Sequence, residues 1–223
     1  MLLEGYTYYK GMTIEDVSIL SFDIEATGLN SNDPDAEVIL ISNTFRKDGK
    51  ITKKLFDIYN YDNQQDMLRE WSVWVQKMNP DIMLGHNILG YDLPYMANQD
   101  QQLLIGRNQE PIHFEEKVSK FRKDGNQSYE YNNARVHGRE LVDTLFLSIK
   151  YDIGRDFPSY GLKYIEDHLG LVDDDRIKWD FEKYPTNDYK NWPEGKWEEF
   201  CQYCRDDADS PLKMFDIMAP SFF

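Results

Sequence analysis

Residues 20–29 read LSFDIEATGL, and the rest of the chain is legible as what completes that stretch. Ser18, Ile19, Leu20, Ser21, Phe22 and Ile24 make the largely apolar run of a buried strand. Asp23 and Glu25 interrupt it. Carboxylates at i and i+2 of a strand project from one face, where like charges are costly unless a cation lies between them. Ala26, Thr27 and Gly28 then turn the chain with small residues and leave the acidic face open. Two readings stand at this point: a divalent metal site, or an exposed acidic strand end.

The chain has 223 residues, 41% of them hydrophobic, and no repeat, low-complexity segment or Gly/Ser- or Pro-rich linker. One α/β domain spanning 1–223 is expected. Its net charge of -15 argues against nucleic-acid or anionic-membrane binding through the whole surface, although a local basic patch and bound metals can override the global sign. No apolar run approaches membrane-spanning length, and the start lacks a basic region followed by an apolar one. Cys201 and Cys204 make no disulfide framework. A reducing, cytoplasmic setting without a membrane partner is expected.

Residues 1–16 read as an N-terminal arm, with Tyr6, Tyr8 and Tyr9 alternating on a short strand or packing the arm. Strands are predicted over 17–25, 36–45 and 50–58, the last two joined by a turn containing Asp48-Gly49, a strong hairpin signal. Three consecutive antiparallel strands follow from this. Residues 63–78 place Met67, Leu68, Trp71, Trp74, Val75 and Met78 at helical spacing, with Asn63 as N-cap and Pro80 beyond the end. Residues 81–85 then read as a buried strand parallel to the first.

After that strand comes the polar stretch HNILGYDLPYM, 86–96, running into a helix expected to reach about Leu104. Ligand sites in α/β sheets favour such a place. Asp92 suits a metal site shared with the first strand; alternatively, Asp92 and Asn87 only cap the helix. Residues 111–139 carry six basic and four acidic residues, a net +2 in an acidic chain. The runs 118–122 and 129–136 around Asp124-Gly125 predict a protruding basic β-hairpin, which either contacts phosphates or is a solvated loop. Residues 140–151 pass from a strand end into a helix, with Asp143 at the junction. A helix is expected over 159–170, capped by Ser159 and ended by Gly170. The acidic, aromatic segment 171–195 reads as an irregular loop whose Trp179, Phe181, Tyr184, Tyr189 and Trp192 either anchor it or stack bases. In the final helix, 196–218, Tyr203 and Asp207 stand at i and i+4 on one face.

The order Asp-x-Glu on the first strand, Asn-x3-Tyr-Asp after a later strand and Tyr-x3-Asp on the last helix resembles the DEDD 3′-5′ exonucleases, tyrosine-bearing subgroup. More narrowly, FDIEATG, GHNILGYDLPYM, HGRELVDTLFL, SYGLKYIEDHLG and YCRDDADSPLKMF resemble the proofreading exonuclease domain of family B DNA polymerases, from about residue 17 to 218. The resemblance implies a ribonuclease H-like α/β fold: a mixed central sheet of three antiparallel strands plus parallel ones, flanked by helices.

It also implies hydrolysis of phosphodiester bonds at single-stranded or frayed DNA 3′ ends, using two Mg²⁺ or Mn²⁺ ions about 3.5–4 Å apart. Hard oxygen ligands select such cations over zinc. By resemblance, Asp23 bridges both ions, Glu25 and Asp207 complete the first site, and Asp92 helps hold the second. Tyr203 orients the attacking water. Asn87 and Tyr91 position the terminal nucleotide, and Lys120, Arg122 and Lys123 sit where such domains carry a strand-separating hairpin. The chain is expected to act alone or as the proofreading part of a split polymerase, with a polymerase or other replication or repair protein as partner. The alternatives are an RNA 3′-5′ exonuclease and a catalytically silent nucleic-acid-binding module.

Overall fold

A computed structural model describes residues 13–100, 102–124, 127–172 and 176–221, so most of the N-terminal arm, with its three tyrosines, lies outside the described residues. The paired acids sit on strand β1, Ile19–Ala26. Strand β2, Val38–Lys47, pairs antiparallel with β1 and places Ser42 opposite Asp23 and Leu40 opposite Glu25. Strand β3, Lys50–Asp57, follows through a tight turn in which Asp48 and Gly49 both have positive φ, 50° and 70°. That backbone matches the right-handed twist of the flanking strands.

Helix α1, Gln64–Met78, starts where the Asn63 side chain accepts the Asp66 amide, and buries Met67, Leu68, Trp71, Trp74 and Val75. Trp71 lies 5.5 Å from Phe22 of β1 and donates its indole N–H to Asn43 of β2 at 2.8 Å. Each such ring buries about 150–250 Å², worth about 4–6 kcal/mol against the extended chain. Strand β4, Ile82–Gly85, then runs parallel to β1, as a helical crossover allows. A Cβ on Gly85 would lie 2.5 Å from the Phe22 carbonyl, so only glycine lets β4 come this close.

Helix α2, Asp92–Gln99, is shorter than its sequence predicts. Gln76 of α1 donates to the carbonyls of Leu104 at 2.8 Å and Gly106 at 2.6 Å, which draws the next segment out of the helix. Leu103 and Ile105 are then buried in extended chain.

Strands β5, His113–Phe114, β6, Ser119–Asp124, β7, Gln127–Tyr131, and β8, Ala134–Arg135, build the excursion expected over 111–139. β6 pairs antiparallel with β7, and β5 with β8. The hairpin leans on the body: Phe121 and Tyr131 lie 6.2 and 4.6 Å from Phe146. Strand β9, Glu140–Asp143, completes a mixed five-stranded sheet of order β3-β2-β1-β4-β9, its first three strands antiparallel and the rest parallel.

Helix α3, Thr144–Tyr151, is capped by Asp143. Helix α4 spans Leu162–His168, with Gly161 rather than Ser159 at its N-cap. The Ser159 hydroxyl accepts the Gly161 amide at 3.1 Å, making a turn before the helix instead of a cap. In the aromatic segment, Trp179 and Trp192 lie 4.8 and 5.0 Å from Phe200, so those rings anchor it. The last element, α5, is Lys196–Met218 and crosses the sheet beside β1 and β2. No helix among the described residues is long and apolar enough to cross a membrane.

Candidate metal-binding and catalytic site

Ser21, Asp23 and Glu25 alternate with Leu20, Phe22 and Ile24 along β1, so the three polar side chains share one face. That face looks at α5. The Ser21 hydroxyl donates to the Ala208 carbonyl at 2.6 Å, and Thr44 and Lys53 both bond Asp209, which fixes the height of α5 over the sheet. Pro211 lies inside the helix and has no N–H for the Asp207 carbonyl four residues before it. The helix still runs on to Met218, with Ser210 and Ser21 donating to the carbonyls of Asp206 and Ala208 in the same turn.

This docking brings ligand oxygens of Asp23, Glu25 and Asp207 within 4.8 Å of one another. Asp92 is not one of these three, but lies close by: its Oδ1 accepts the amide of Ile24, the residue between the two strand acids, at 3.1 Å. Hard carboxylates converging on one point are the donor set of Mg²⁺ and Mn²⁺.

The electrostatics agree. Burial, then the charges of Asp92, Glu25 and Asp207, raises Asp23 well above the usual carboxylate range. Burial, then Asp207 and Asp92, pushes Glu25 up to about 8. Burial takes Asp92 to about 7, against the pull of the Ile24 amide. Such a cluster holds its full charge comfortably only with cations inside it.

Tyr203 is buried one turn before Asp207, its ring stacked on Phe200 at 6.0 Å and met edge-on by Phe181 at 5.9 Å. Burial and the Asp207 charge raise its hydroxyl pKa, so it stays a hydrogen-bond donor. Asn87 takes the left-handed conformation, φ 65°, and its amide donates to Asp143 Oδ1 at 2.8 Å. Its side-chain oxygen lies 2.3 Å from where a Gly90 Cβ would stand, a space only glycine leaves open. Tyr91 donates its hydroxyl to the Gly28 carbonyl at 3.0 Å, tying the start of α2 to the turn after β1.

The basic hairpin is less free than its composition suggests. Lys120 pairs with Glu130 across the strands at 2.5 Å, and Arg139 is turned inward onto the carbonyls of Ile105 and Pro80. Arg122 is exposed, and the Lys123 side chain lies outside the described residues.

Sequence reasoning gave no role to Asp143, Lys163, Glu166 or Arg176. Asp143 accepts the amides of Asn87, Leu89 and Leu145, and so shapes the loop that carries Asn87. Lys163 and Arg176 both contact Asp207 Oδ1. The i,i+3 spacing of Lys163 and Glu166 on a short helix was the available signal. A cleft of about 550 Å³ beside Tyr203 is lined by Lys163, Arg176, Lys178 and Phe181. The groove of about 740 Å³ past the β1 turn is lined by Asp33, Asp35 and Glu37, and its charge opposes a polyanion.

Comparison with known proteins agrees with this geometry. The chain is 27% identical over 221 residues to a DNA polymerase delta catalytic subunit of Dictyostelium discoideum, covering 89% of this chain and 19% of that protein. It is 28% identical over 225 residues to the corresponding subunit of Drosophila melanogaster, covering 89% of this chain and 20% of the relative. The chain therefore spans about a fifth of the length of these relatives. The solved family B DNA polymerase of Pyrobaculum calidifontis superposes with a TM-score of 0.68 over 92% of this chain and 25% of that one, at 22% identity, which speaks for the fold alone. Residues 6–165 match the family model for the exonuclease domain of DNA polymerase family B, and this chain belongs to that family of 3′-5′ exonuclease domains.

Proposed function

We propose that this chain is a divalent-metal-dependent 3′-5′ exonuclease that hydrolyses the terminal phosphodiester of single-stranded or frayed DNA. The observation that carries the reading is the convergence of Asp23, Glu25 and Asp207 within 4.8 Å, from a strand and a helix far apart in sequence. Asp23, Glu25 and Asp207 would hold one Mg²⁺ or Mn²⁺ ion, and Asp92 would help hold a second. When bound, such ions neutralise the scissile phosphate, supply an activated water and stabilise the leaving 3′ oxygen.

The chain's own groups do the rest. Tyr203, held between Phe200 and Phe181, orients the attacking water through a hydroxyl that burial keeps protonated. Asn87 and Tyr91, on the loop that Asp143 and Gly28 fix, position the terminal nucleotide. Arg122 and Lys123, with Lys120 where Glu130 releases it, contact the strand backbone from the hairpin. The chain forms a single exonuclease domain that works alone or beside a polymerase, a partner that the matched polymerase subunits support.

The test is degradation of 5′-labelled single-stranded DNA and RNA of one sequence, with Mg²⁺, Mn²⁺ or chelator. Stepwise shortening of DNA from the 3′ end, lost with chelator, is the expected result. Preferential shortening of RNA would reassign the substrate, and binding without cleavage in either metal would overturn the enzymatic reading.

A further inference from the structure

The acidic site carries its own cations. Lys163 Nζ and Arg176 Nη2 both contact Oδ1 of Asp207, the carboxylate that α5 contributes. Both are also attached to a second acid. Arg176 Nη1 pairs with Glu166 Oε1 and lies 3.4 Å from the Ser210 hydroxyl. Lys163 Nζ stands 3.9 Å from Glu166 Oε2 and 4.7 Å above the Tyr203 ring.

Glu166 explains why these cations stay. Its side chain is 0% exposed, with Arg176 Nη1 on Oε1 and Lys163 Nζ 3.9 Å from Oε2. A buried carboxylate persists as an ion only when a cation accompanies it. The Arg176 side chain is itself only 9% exposed, so Arg176 and Glu166 form a buried ion pair beside Asp207. Lys163, with its side chain 51% exposed, is the more solvent-accessible partner.

We infer that Lys163 and Arg176 form a built-in cationic clamp that competes with a divalent ion for Asp207, and that Glu166 retains both cations when the ion displaces them. This rests on the proposed metal site. Without metal, the clamp offsets part of the repulsion among Asp23, Glu25, Asp92 and Asp207. An incoming ion must break two charge-assisted contacts to claim Asp207, so the clamp raises the ion concentration at which the site fills.

The test is Mn²⁺ binding to the full chain without nucleic acid, read by electron paramagnetic resonance of free Mn²⁺ and by calorimetry. Lys163→Met and Arg176→Gln are each expected to bind on the order of tenfold more tightly than the parent, the low end of the effect a neighbouring cation has on a carboxylate's affinity for a proton. Lys178→Met removes a charge that lines the same cleft and has no described contact with Asp207, and should change affinity less than about twofold. Asp23→Ala identifies the site by losing this binding. If the parent binds no Mn²⁺, or Asp23→Ala binds as the parent does, the metal-site reading itself fails. If binding is lost in Asp23→Ala but unchanged or weaker in Lys163→Met and Arg176→Gln, the clamp is overturned and the metal site stands. An equal gain in Lys178→Met also overturns the clamp, because the effect is then the general field. Should Arg176→Gln not fold, the half-exposed Lys163→Met decides alone.

Discussion

The Asp92 carboxylate accepts the backbone amide of Ile24 at 3.1 Å, so the first residue of α2 is pinned to β1 midway between Asp23 and Glu25. One hydrogen bond thereby fixes the distance between two acidic elements that the chain separates by 68 positions. The backbone amides of Ile24 and of Asp92 itself hold the carboxylate, which suits a group that must not collapse into the cluster when the cluster is empty.

Replacing Asp23 by Ala should abolish cleavage without unfolding the protein. In the metal-free protein, burial and three neighbouring carboxylates disfavour its charge, so its removal relieves repulsion. Thermal melting without metal should be unchanged or higher. Retained cleavage would sink the ligand assignment, and a large fall in melting temperature would make Asp23 a structural residue.

Tyr203→Phe removes one hydroxyl and keeps the ring between Phe200 and Phe181. Turnover should fall about 10²–10⁴-fold, the usual range for a group that handles a proton or water in the transition state. Affinity for single-stranded DNA should hardly move. Steady-state kinetics alongside equilibrium binding separates the two, and loss of binding with normal turnover would mark Tyr203 as packing.

The metal-free protein should lose stability as pH rises. Glu25 and Asp92 have folded-state pKa values raised to about 8 and about 7, above their unfolded values. Their contribution is therefore fully present below about pH 4, where both states are protonated, and is lost as pH climbs through 7 and 8. Melting temperature in chelator should decline between about pH 5 and 8. Saturating Mg²⁺ or Mn²⁺ should flatten that decline, because ions replace protons in the cluster. Melting curves that rise with pH in chelator would contradict the electrostatics of the site.

The hairpin prediction concerns the triple change of Lys120, Arg122 and Lys123 to Ser. Each lost single-strand phosphate contact lowers the slope of log affinity against log salt by about 0.7. Lys120 pairs with Glu130, so the slope should fall by about 1.4 to 2.1, the upper end if DNA draws Lys120 away from that exposed pair. Binding at low salt should weaken while the maximal rate at saturating DNA stays the same. Unchanged affinity and slope would show the hairpin to be a solvated loop.

Much of the site was legible in the chain because its logic is local. Period-two alternation puts Asp23 and Glu25 on one strand face, and a four-residue step puts Tyr203 and Asp207 on one helix face, whatever the rest of the protein does. The Asp48-Gly49 turn and the Asn63 cap are equally local, and both appear where the sequence placed them. Packing between distant segments decided the remainder. Gln76 ended α2 early by binding the carbonyls of Leu104 and Gly106, although Leu103 and Ile105 are good helix formers or tolerated ones. Glu130 and two buried carbonyls pair with Lys120 and Arg139, two of the six basic residues that make the 111–139 segment positive. Ser21 and Thr44 set α5 on the sheet despite Pro211, and so set the spacing of the acids. Lys163 and Arg176 reached Asp207 from a helix and a loop that lie 44 and 31 residues before it. Side-chain type and periodicity decide which face a residue presents. Which cation or carbonyl meets that face depends on long-range packing, and only the folded chain brings those partners together.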